Sequence, residues 1–257
     1  MSERLTIAVL GGHGMLGADL VKFLGTRYSV TPITRENYSA HKGGEFDVFI
    51  NANGNSKRFW ANQHPYEDFL ASTVSAYDSV VDFKFRKYVY ISSIVVYEDP
   101  SGLSGTIEER EINPSNLQPY GFHKYLSELI VRHAAKDYLI LRCPIVLGSS
   151  LKKGTFYDIL NGRPLFVTLD SKLQLITTRA VAEIIAVLLE RGTSRAVFNV
   201  GGLGTFPLKE ASRYFGRPVV VSENAEKQIY EMDVSKVRAI YPLKKSEEYL
   251  QEFLKST

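Results

Sequence analysis

A glycine-rich segment near the start of the chain constrains the fold more than any other feature. Gly11, Gly14 and Gly17 follow the apolar run Leu5–Leu10 and precede the amphipathic run Ala18–Leu24. An apolar strand, a glycine turn and a helix in this order are typical of a dinucleotide-binding unit. Glycine allows the sharp turn at the strand end, the approach of the backbone to a pyrophosphate, and close packing of the helix on the strand. The segment therefore predicts a nucleotide-binding βαβ unit.

The cofactor phosphates are expected to lie over Gly14, Met15 and Leu16, because a helix N-terminus offers unpaired N–H groups and partial positive charge. The second predicted strand, Tyr28–Thr34, ends next to Arg35. This is about where the fold places the residue that reads the adenosine ribose. A guanidinium suits a 2′-phosphate, whereas NAD-binding proteins carry a carboxylate there. The sequence therefore favours NADP(H), with NAD(H) as the alternative.

Strand-like and helical patterns alternate along the rest of the chain, which predicts an α/β fold. We expect a Rossmann-like, doubly wound parallel sheet with a small C-terminal substrate-side lobe. The 257 residues suffice for this fold, since a chain of this length buries a large core. Residues 1–148 are predicted to form the NAD(P)-binding domain. Residues 149–257 are predicted to complete the sheet and to form the lobe.

Composition and charge narrow the class of protein. The net charge is +3 and the Lys and Arg residues are scattered, so we expect no nucleic-acid partner. No apolar run approaches the length of a membrane span, and no signal-like segment precedes the first strand, so we expect no membrane partner. The single cysteine, Cys143, can form no intrachain disulfide, which favours a reducing compartment and hence the cytoplasm. The five histidines show no metal-ligand spacing, so we predict no metal site.

Small and polar residues end the predicted strand Glu45–Ala52, at the edge where an open α/β sheet binds its ligand. Four residues here are expected to contact the cofactor: Asn51, Ala52, Asn53 and Gly54. The pair Ser92–Ser93 closes the next buried strand and is a further candidate. The loop Asn55–Trp60 is basic and aromatic and would sit over the same edge. Arg58 could meet an anionic substrate there, and Trp60 either stacks on a substrate ring or packs its loop.

Tyr120 and Lys124 form another candidate site. A helix is predicted to run from Pro119, which suits a first helical turn, to about Ala135. Residues four apart share one helix face, so the two side chains point the same way. A free phenol has a pKa near 10, too high for a base at neutral pH, but a neighbouring ammonium favours the phenolate.

Taken in order, the motifs of the chain resemble the short-chain dehydrogenase/reductase superfamily, in its extended nucleotide-sugar epimerase/dehydratase branch. The motifs are Gly11-x-x-Gly14-x-x-Gly17, Asp47-Val48-Phe49-Ile50-Asn51, Tyr90-Ile91-Ser92-Ser93-x-x-Val96-Tyr97, Tyr120-x-x-x-Lys124, Arg142-x-Pro144-x-x-x-Gly148, Phe198-Asn199-Val200-Gly201-Gly202 and Asp233-Val234-Ser235-Lys236-x-Arg238. The segment Gly14-Met15-Leu16-Gly17-x-Asp19-Leu20 is similar to the corresponding segment of the dTDP-4-dehydrorhamnose reductase group. The resemblance covers most of the chain.

The resemblance implies roles for several residues. Tyr120 would be the general acid/base, and Lys124, together with the positive nicotinamide, would lower the pKa of the phenol and bind the nicotinamide ribose. Ser93 would hydrogen-bond the substrate oxygen, and Pro144 would lie against the cofactor. The cofactor would carry the hydride while the protein orients it. The resemblance also implies a homodimer that pairs through the helices of residues 65–83 and 120–135.

Two departures from the branch bear on the reaction. Dehydratases of the branch carry an Asp-Glu pair directly after the catalytic Ser or Thr, where this chain has Ile94 and Val95. Neither side chain can protonate a leaving hydroxyl, so dehydration is not expected. The branch also has an arginine that clamps the substrate pyrophosphate, and the matching segment Gln174–Thr177 lacks one. Four basic residues are candidate replacements: Lys152, Lys153, Arg163 and Arg179.

We therefore predict an NADP(H)-dependent carbonyl reductase whose small-molecule substrate is a nucleotide-linked 4-keto-deoxyhexose. The residues expected to contact this substrate are Arg58, Trp60, Lys153 and Arg163. A sugar epimerase with tightly held NAD is the first alternative, and Arg35 argues against it. A non-catalytic, cofactor-sensing protein of the same fold is the second alternative, and the presence of Tyr120 and Lys124 argues against it.

Overall fold

The computed structural model describes residues 4–55 and 57–256. Its strands are β1 (Thr6–Leu10), β2 (Ser29–Ile33), β3 (Glu45–Asn51), β4 (Lys84–Ser93), β5 (Tyr138–Cys143), β6 (Ile145–Leu147), β7 (Leu165–Val167), β8 (Lys172–Leu173), β9 (Leu175–Thr177), β10 (Ala196–Asn199), β11 (Phe206–Pro207), β12 (Val221–Glu226) and β13 (Ile229–Tyr230). Its α-helices are α1 (Met15–Leu24), α2 (Tyr38–His41), α3 (Arg58–Gln63), α4 (Pro65–Phe69), α5 (Ser75–Asp82), α6 (Pro119–Ala134), α7 (Thr155–Leu160), α8 (Thr178–Glu190), α9 (Ala211–Phe215), α10 (Ser235–Arg238) and α11 (Ser246–Ser256).

A six-stranded sheet forms the centre of the described chain, in the order β10-β5-β4-β3-β1-β2. Each neighbouring pair of strands is parallel. The chain passes from β1 to β2 on one side and then returns to β3 on the other side of β1. The order therefore reverses at the carboxyl ends of β1 and β3. Open α/β sheets bind their ligands in the crevice at such a point.

Both faces of this sheet are buried. Ile7 and Val9 belong to one apolar cluster, which α1 and α8 cover, whereas Ala8 and Leu10 belong to another, which α5 and α6 cover. Because successive strand residues point to opposite faces, a strand buried on both sides must be apolar throughout. The unbroken apolar run at residues 7–10 follows from this placement. The predicted Rossmann-like α/β fold is confirmed.

The segment after residue 148 contributes to two regions. Its strand β10 pairs with β5 at the edge of the main sheet. Helix α8 packs on the main sheet as well. Other parts of the segment pack around a third apolar cluster that includes Phe156, Phe206 and Phe253, together with the short sheets β6-β9, β7-β12 and β11-β8-β13. The division into two domains at residue 148 stays a prediction. Within the part of the chain that the structure describes, no helix is long and apolar enough to cross a bilayer.

The apolar run at residues 138–148 does not form one continuous strand. It divides at Pro144 into β5, which stays in the main sheet, and β6, which pairs with β9. Proline has no N–H to donate to a neighbouring strand, so the break falls at this residue. Pro144 thus lies at the carboxyl end of β5, on the same edge of the sheet as the glycine turn.

Two helical predictions also need refinement. The pattern at residues 65–83 forms α4 and α5, but a π-helical turn at Leu70–Val74 separates them. The predicted loop at residues 55–60 is wrong for its second half, because α3 begins at Arg58. This short helix packs against the start of α6, where the Asn62 side chain accepts a hydrogen bond of 3.1 Å from the N–H of Tyr120. That contact is tertiary and has no local signal in the sequence.

Candidate active site

The glycine-rich loop follows the carboxyl end of β1. Gly11 has a φ of +81°, which glycine adopts without strain. A Cβ on Gly17 would lie 2.1 Å from the carbonyl oxygen of Gly11, so α1 approaches the turn at a distance that only glycine permits. Gly14 is the N-cap of α1 and has no side chain to cap it. The N–H groups at Met15 and Leu16 are therefore available to a phosphate.

Charged residues meet at the end of β2, where the adenosine ribose is expected. Arg35 and Glu36 are both exposed there. A hydrogen bond with the Thr34 side chain holds the pKa of Glu36 below its usual range, with smaller contributions from nearby His13 and Arg35. The guanidinium of Arg35 and the carboxylate of Glu36 therefore lie near the imidazole of His13, which belongs to the glycine loop. The sequence analysis singled out Arg35 but missed Glu36, whose signal is its place directly after Arg35.

The polar residues at the end of β3 are held by protein partners. The Asn51 amide donates to the Tyr88 hydroxyl at 2.9 Å, and its Oδ1 accepts from the N–H of Asn53 at 2.9 Å. The Asn53 amide in turn donates to Ser75 Oγ at 2.8 Å. These side-chain amides already form hydrogen bonds within the protein and stabilise the turn. A cofactor that passes over Ala52 would therefore meet backbone atoms rather than amide side chains.

Tyr120 and Lys124 lie on the buried face of α6, 8% and 6% exposed. The Lys124 ammonium donates to the carbonyl oxygen of Ile91 at 3.0 Å and lies 4.9 Å from the centre of the Tyr90 ring. A Cβ on Gly54 would lie 3.5 Å from Lys124 Nζ. Lys124 thus reaches from α6 across the end of β4 to the turn after β3. The structure brings the predicted catalytic helix to the edge that carries the glycine loop.

Ser93 is the last residue of β4 and is half-buried. Its Oγ accepts a hydrogen bond from the N–H of Val95 at 3.5 Å, which starts a 3₁₀ turn. Helix α6 packs directly on this turn, because a Cβ on Gly121 would lie 2.3 Å from the carbonyl oxygen of Val95. Gly121 therefore sets the approach of Tyr120 to the strand end that carries Ser93. Sequence reasoning did not single out Gly121.

The pKa of Tyr120 is raised above its ordinary value, chiefly because burial disfavours the phenolate. Lys124 lowers this pKa, as expected for a neighbouring cation, but does not outweigh burial. Tyr90 and the carboxylate of Asp68 raise it further, whereas Arg58 lowers it. In the chain alone Tyr120 is therefore a neutral phenol with a proton to donate. Its conversion to a base depends on added positive charge, which the resemblance assigns to the nicotinamide.

A cavity of about 390 Å³ opens beside Tyr120. The helices α3 and α6, the segment after β4, and the lobe strands β12 and β13 surround it. The residues that line it include Arg58, Tyr97, Glu98, Tyr120, Glu226 and Tyr230. A cleft between a nucleotide-binding sheet and a smaller lobe, with a titratable group in its wall, has the features of a small-molecule site.

Two polar groups in the wall of this cavity lack a hydrogen-bond partner among the described residues. The Arg58 guanidinium lies 5.7 Å from the centre of the Tyr230 ring. Burial lowers the pKa of Arg58, and Glu226 and Tyr120 partly offset this. The Tyr230 hydroxyl is buried without a partner in residues 4–55 and 57–256. Buried polar groups are normally hydrogen-bonded, which makes the Tyr230 hydroxyl an exception, and the half-buried Arg58 guanidinium is the group suited to bind a polar ligand.

The structure places the other predicted substrate residues differently. Partial burial and the nearby Lys57 lower the pKa of Lys153, so the Lys153 ammonium lies close to the residue that precedes Arg58 in the chain. Arg163 and Arg179 instead lie over aromatic rings elsewhere, at 5.2 and 5.0 Å. Trp60 stacks on a neighbouring histidine at 4.7 Å. Of the predicted substrate residues only Arg58 lines the cavity, and Trp60, Lys153 and Arg163 do not.

A buried charged network lies behind the site and was not anticipated from the sequence. Arg142 forms two hydrogen bonds with the carboxylate of Glu128, at 2.7 and 3.0 Å, and their side chains are 1% and 0% exposed. Ser92 Oγ donates to the same carboxylate at 2.5 Å. Arg142 also donates to the Tyr97 hydroxyl at 2.9 Å, which donates to Asn199 Oδ1 at 2.9 Å. The network joins α6 to β4, β5, β10 and the cavity wall.

The glycine turn at the reversal point of a parallel sheet, facing a helix with Tyr120 and Lys124, defines a dinucleotide-binding α/β protein. The model of the NAD dependent epimerase/dehydratase family matches residues 41–201. The chain belongs to this family of NAD-dependent enzymes, which confirms the resemblance drawn from its motifs. No curated protein sequence matches the chain significantly. In the described residues, no group of three or more His, Cys, Asp or Glu side chains is placed to hold a metal ion.

Solved structures share the fold over nearly the whole chain. The dTDP-4-dehydrorhamnose reductase from Bacillus anthracis, in complex with NADP, has a TM-score of 0.78, 17% identity and coverage of 100% of both chains. The Bordetella bronchiseptica enzyme WbmG, in complex with NAD and UDP, has a TM-score of 0.79, 15% identity and coverage of 99% of this chain and 94% of that one. The UDP-Glc/GlcNAc 4-epimerase from Campylobacter jejuni has a TM-score of 0.76, 17% identity and coverage of 98% of each chain.

Proposed function

We propose that the chain is an NADP(H)-dependent reductase of a keto group, carried on a nucleotide-linked 4-keto-deoxyhexose. One observation carries the proposal. Tyr120 is buried with Lys124 one helical turn away, and it forms a wall of the cavity at the sheet edge where the glycine loop ends. An acid/base group of this kind must lie at once near a cofactor and near a substrate.

The residues of the turn fit a nicotinamide dinucleotide. The close approach at Gly17 and the uncapped start of α1 form a cradle that a larger side chain would fill. Gly11, Gly14, Met15, Leu16 and Gly17 would hold the phosphates, and Lys124 would hold the nicotinamide ribose. Bound there, the cofactor supplies the hydride.

The protein residues would do the remaining chemistry. Tyr120 would donate its phenolic proton to the substrate oxygen, and Ser93 would hydrogen-bond the same oxygen and orient it. The Lys124 ammonium would stabilise the phenolate that remains. Ile94 and Val95 follow Ser93 with apolar side chains. No carboxyl group therefore stands at these positions to protonate a leaving hydroxyl, which supports reduction over dehydration.

Arg35 supports NADP(H) as the preferred cofactor. An exposed guanidinium at the end of β2 can bind a 2′-phosphate through two hydrogen bonds, and His13 lies in the same group of charges. The neighbouring Glu36 supplies the carboxylate that could instead accept from the 2′-hydroxyl of NAD(H). The balance between these two side chains decides the preference. Solved structures of this fold carry either cofactor.

The cavity supports a polar, negatively charged substrate. Arg58 lines it with its guanidinium over the Tyr230 ring, and Lys57 and Lys153 add positive charge near Arg58. An arginine forms its strongest contacts with phosphate or carboxylate groups. Arg58 would therefore contact the diphosphate of the substrate and replace the arginine that is missing near Gln174, whereas Lys153, which does not line the cavity, would only add positive charge. The placement of Arg163 and Trp60 outside the cavity lining speaks against a direct contact for them.

Substitution of Tyr120 by Phe tests the proposal. We expect Tyr120→Phe to reduce NADPH-dependent turnover of a nucleotide-linked 4-keto-deoxyhexose by roughly 100- to 10,000-fold, the range for loss of a general acid, with unchanged NADPH affinity. Absorbance at 340 nm measures turnover, and isothermal titration calorimetry measures binding. Tyr214→Phe is the matched control, because Tyr214 lies on α9 and does not line the cavity. Turnover by Tyr120→Phe close to that of the parent chain would refute the assignment.

An NAD-dependent sugar epimerase is the alternative, and the exposed Glu36 carboxylate at the adenosine end favours it. Analysis of the cofactor that copurifies with the chain separates the two functions. Exchangeable NADPH supports the reductase, whereas tightly bound NAD⁺ without net turnover of cofactor supports the epimerase. Cofactor binding without turnover of any carbonyl in a panel would instead indicate a sensor.

We also propose a homodimer formed through α4, α5 and α6. Large apolar side chains on these helices and on the π-helical turn between α4 and α5 are exposed in the single chain: Tyr66, Leu70, Tyr77, Val81 and Leu129. Exposed apolar side chains that together form a surface patch are typical of a protein–protein interface, and pairing of these helices with a second copy would cover the side chains. Light scattering of the purified chain measures the assembly. The cytoplasmic location stays a prediction.

A further inference from the structure

A row of three buried polar side chains crosses the main sheet at the carboxyl ends of its strands. Ser92 on β4 lies opposite Arg142 on β5, and Arg142 lies opposite Asn199 on β10. The three residues are 4%, 1% and 0% exposed. Strands that are buried on both faces are normally apolar throughout, and none of the three residues lines the cavity. The row therefore has a role other than contact with the substrate.

The row is built around one ion pair. Arg142 donates two hydrogen bonds to the carboxylate of Glu128 on α6, and Ser92 Oγ donates a third to Oε1 of the same carboxylate. On the other side of the guanidinium, Arg142 Nη1 donates to the Tyr97 hydroxyl, which donates to Asn199 Oδ1. Each end of the ion pair thus binds one hydroxyl. Replacement of a buried ion pair by apolar side chains is often neutral for stability, so stability alone does not account for this arrangement.

The two hydroxyls belong to residues on either side of Ser93 in the chain. Ser92 directly precedes Ser93, and Tyr97 ends the 3₁₀ turn that Ser93 begins. The hydrogen bond that starts this turn, from the N–H of Val95 to Ser93 Oγ, is 3.5 Å long. Such a bond is weak and holds the turn only loosely by itself. The strand end that carries Ser93 is therefore fixed on both sides by bonds to the same ion pair.

Glu128 connects this arrangement to the helix that carries Tyr120. Both residues belong to α6, and Lys124 lies between them. The Lys124 ammonium donates to the carbonyl oxygen of Ile91 at 3.0 Å, and the Glu128 carboxylate accepts from the next residue of β4, Ser92, at 2.5 Å. Two successive polar bonds thus fix the position of α6 along the end of β4. The placement of the Tyr120 phenol relative to this strand end follows from them.

We propose that Ser92 and Tyr97 are positioning residues that hold Ser93 where it bonds the substrate oxygen. Both act through the ion pair of Glu128 and Arg142, and neither hydroxyl takes part in the chemistry. The Ser92-Ser93 pair at the end of β4 thus divides two tasks, because the second serine contacts the substrate and the first fixes the second. The inference rests on the proposed function in one point, which is the contact of Ser93 with the substrate oxygen.

Substitution of Ser92 by alanine tests the positioning role, because it removes one hydroxyl and leaves both members of the ion pair in place. With NADPH and a nucleotide-linked 4-keto-deoxyhexose, we expect Ser92→Ala to lower kcat by roughly 10- to 100-fold, the effect of a misplacement of about 1 Å. KM should stay unchanged, since Ser92 does not line the cavity. In a chain that already carries Ser93→Ala, the same substitution should lower kcat no further, because the group that Ser92 positions is absent. Tyr97→Phe should show the same dependence on Ser93 and provides the test if Ser92→Ala fails to fold.

Amide hydrogen exchange measures the same turn without turnover, in the chain without added cofactor or substrate. The N–H of Val95 bonds to Ser93 Oγ, so its exchange rate reports how firmly the turn is held. Ser92→Ala should raise this rate severalfold. Ser127→Ala is the matched control, because Ser127 is also buried and its hydroxyl donates within α6 to the carbonyl oxygen of His123. The control should leave kcat and the Val95 exchange rate as in the parent chain.

The paired measurements separate positioning from a general contribution to the fold. A side chain that only stabilises the fold would lower kcat by the same factor with and without the Ser93 hydroxyl. That result, an unchanged kcat in Ser92→Ala, or an unchanged exchange rate of Val95 would overturn the proposal. If the parent chain reduced no carbonyl, the proposed function would fail, whereas faster Val95 exchange in Ser92→Ala would still sustain the fixing of Ser93 by Ser92.

Discussion

Substitution of Gly17 by alanine should weaken the binding of the cofactor to the glycine loop. The Cβ would lie 2.1 Å from the carbonyl oxygen of Gly11 and 2.7 Å from its carbonyl carbon, whereas ordinary contacts begin at 3.4 Å. Either α1 or the turn must therefore move by about 1.3 Å, since both obstructing atoms belong to the backbone. Overpacking of this kind costs about 1–3 kcal/mol. The better helix propensity of alanine offsets about 0.5–1 kcal/mol of it.

The same movement should weaken cofactor binding more than it weakens the fold. A donor displaced by about 1.3 Å from a phosphate oxygen at 2.9 Å no longer forms a hydrogen bond. Each hydrogen bond to a charged group contributes about 1.5–3 kcal/mol, so the loss of one reduces affinity by roughly 10- to 150-fold. We expect Gly17→Ala to lose about this much NADPH affinity, while the free energy of unfolding falls by about 1–2 kcal/mol.

A graded series makes the test specific. A Cβ on Gly14 would lie 3.1 Å from the Gly11 oxygen and needs a small adjustment, whereas a Cβ on Gly102 meets no atom within 4 Å. NADPH affinity by calorimetry and stability by urea unfolding should rank Gly102→Ala closest to the parent chain, then Gly14→Ala, then Gly17→Ala. If Gly17→Ala bound NADPH within twofold of the parent, the loop would not be the phosphate site and the cofactor placement would have to be abandoned.

Two further changes probe the cofactor preference and the buried network. Arg35→Ala should weaken NADPH binding by roughly 10- to 150-fold, the value of one charged hydrogen bond, and leave NADH binding unchanged in a paired titration; equal losses for both cofactors would contradict a 2′-phosphate contact. Glu128→Gln leaves the Arg142 guanidinium buried without its carboxylate and should cost about 3–5 kcal/mol of unfolding free energy. The control is Arg132→Met, which removes a half-exposed ion-pair partner of the same carboxylate at 3.9 Å and should cost under about 1 kcal/mol of unfolding free energy. Equal costs for the two variants would show that burial does not determine how much an ion pair with Glu128 contributes to stability.

The buried network explains how distant parts of the chain can share one site. Tyr97 is a wall residue of the cavity and also a hydrogen-bond partner of Arg142. Arg142 holds Glu128, which lies one helical turn beyond Lys124 on α6. The cavity wall, the main sheet and the proposed catalytic helix are therefore connected through buried, directional contacts. Such contacts fix orientation more strictly than apolar packing does.

The sequence by itself determined the fold class and the sheet edge that carries the site. Gly11–Gly17, the apolar strands and the Tyr120–Lys124 spacing are local patterns, and each depends on steric or hydrophobic demands that act within a few residues. The break at Pro144 follows from a local rule as well, because a missing N–H cannot continue a ladder. The pairing of β6 with β9, rather than with the main sheet, is nevertheless visible only in the structure.

Only the tertiary structure decided the electrostatics of the site. Arg58 and Tyr230 are 172 residues apart in the chain and meet at one cavity, and Asp68 meets His123 from another helix. The sequence shows Lys124 beside Tyr120, but whether that cation or burial controls the pKa depends on how much water the fold removes. Charge and desolvation act through space, so their balance at Tyr120 became visible only after the chain was folded.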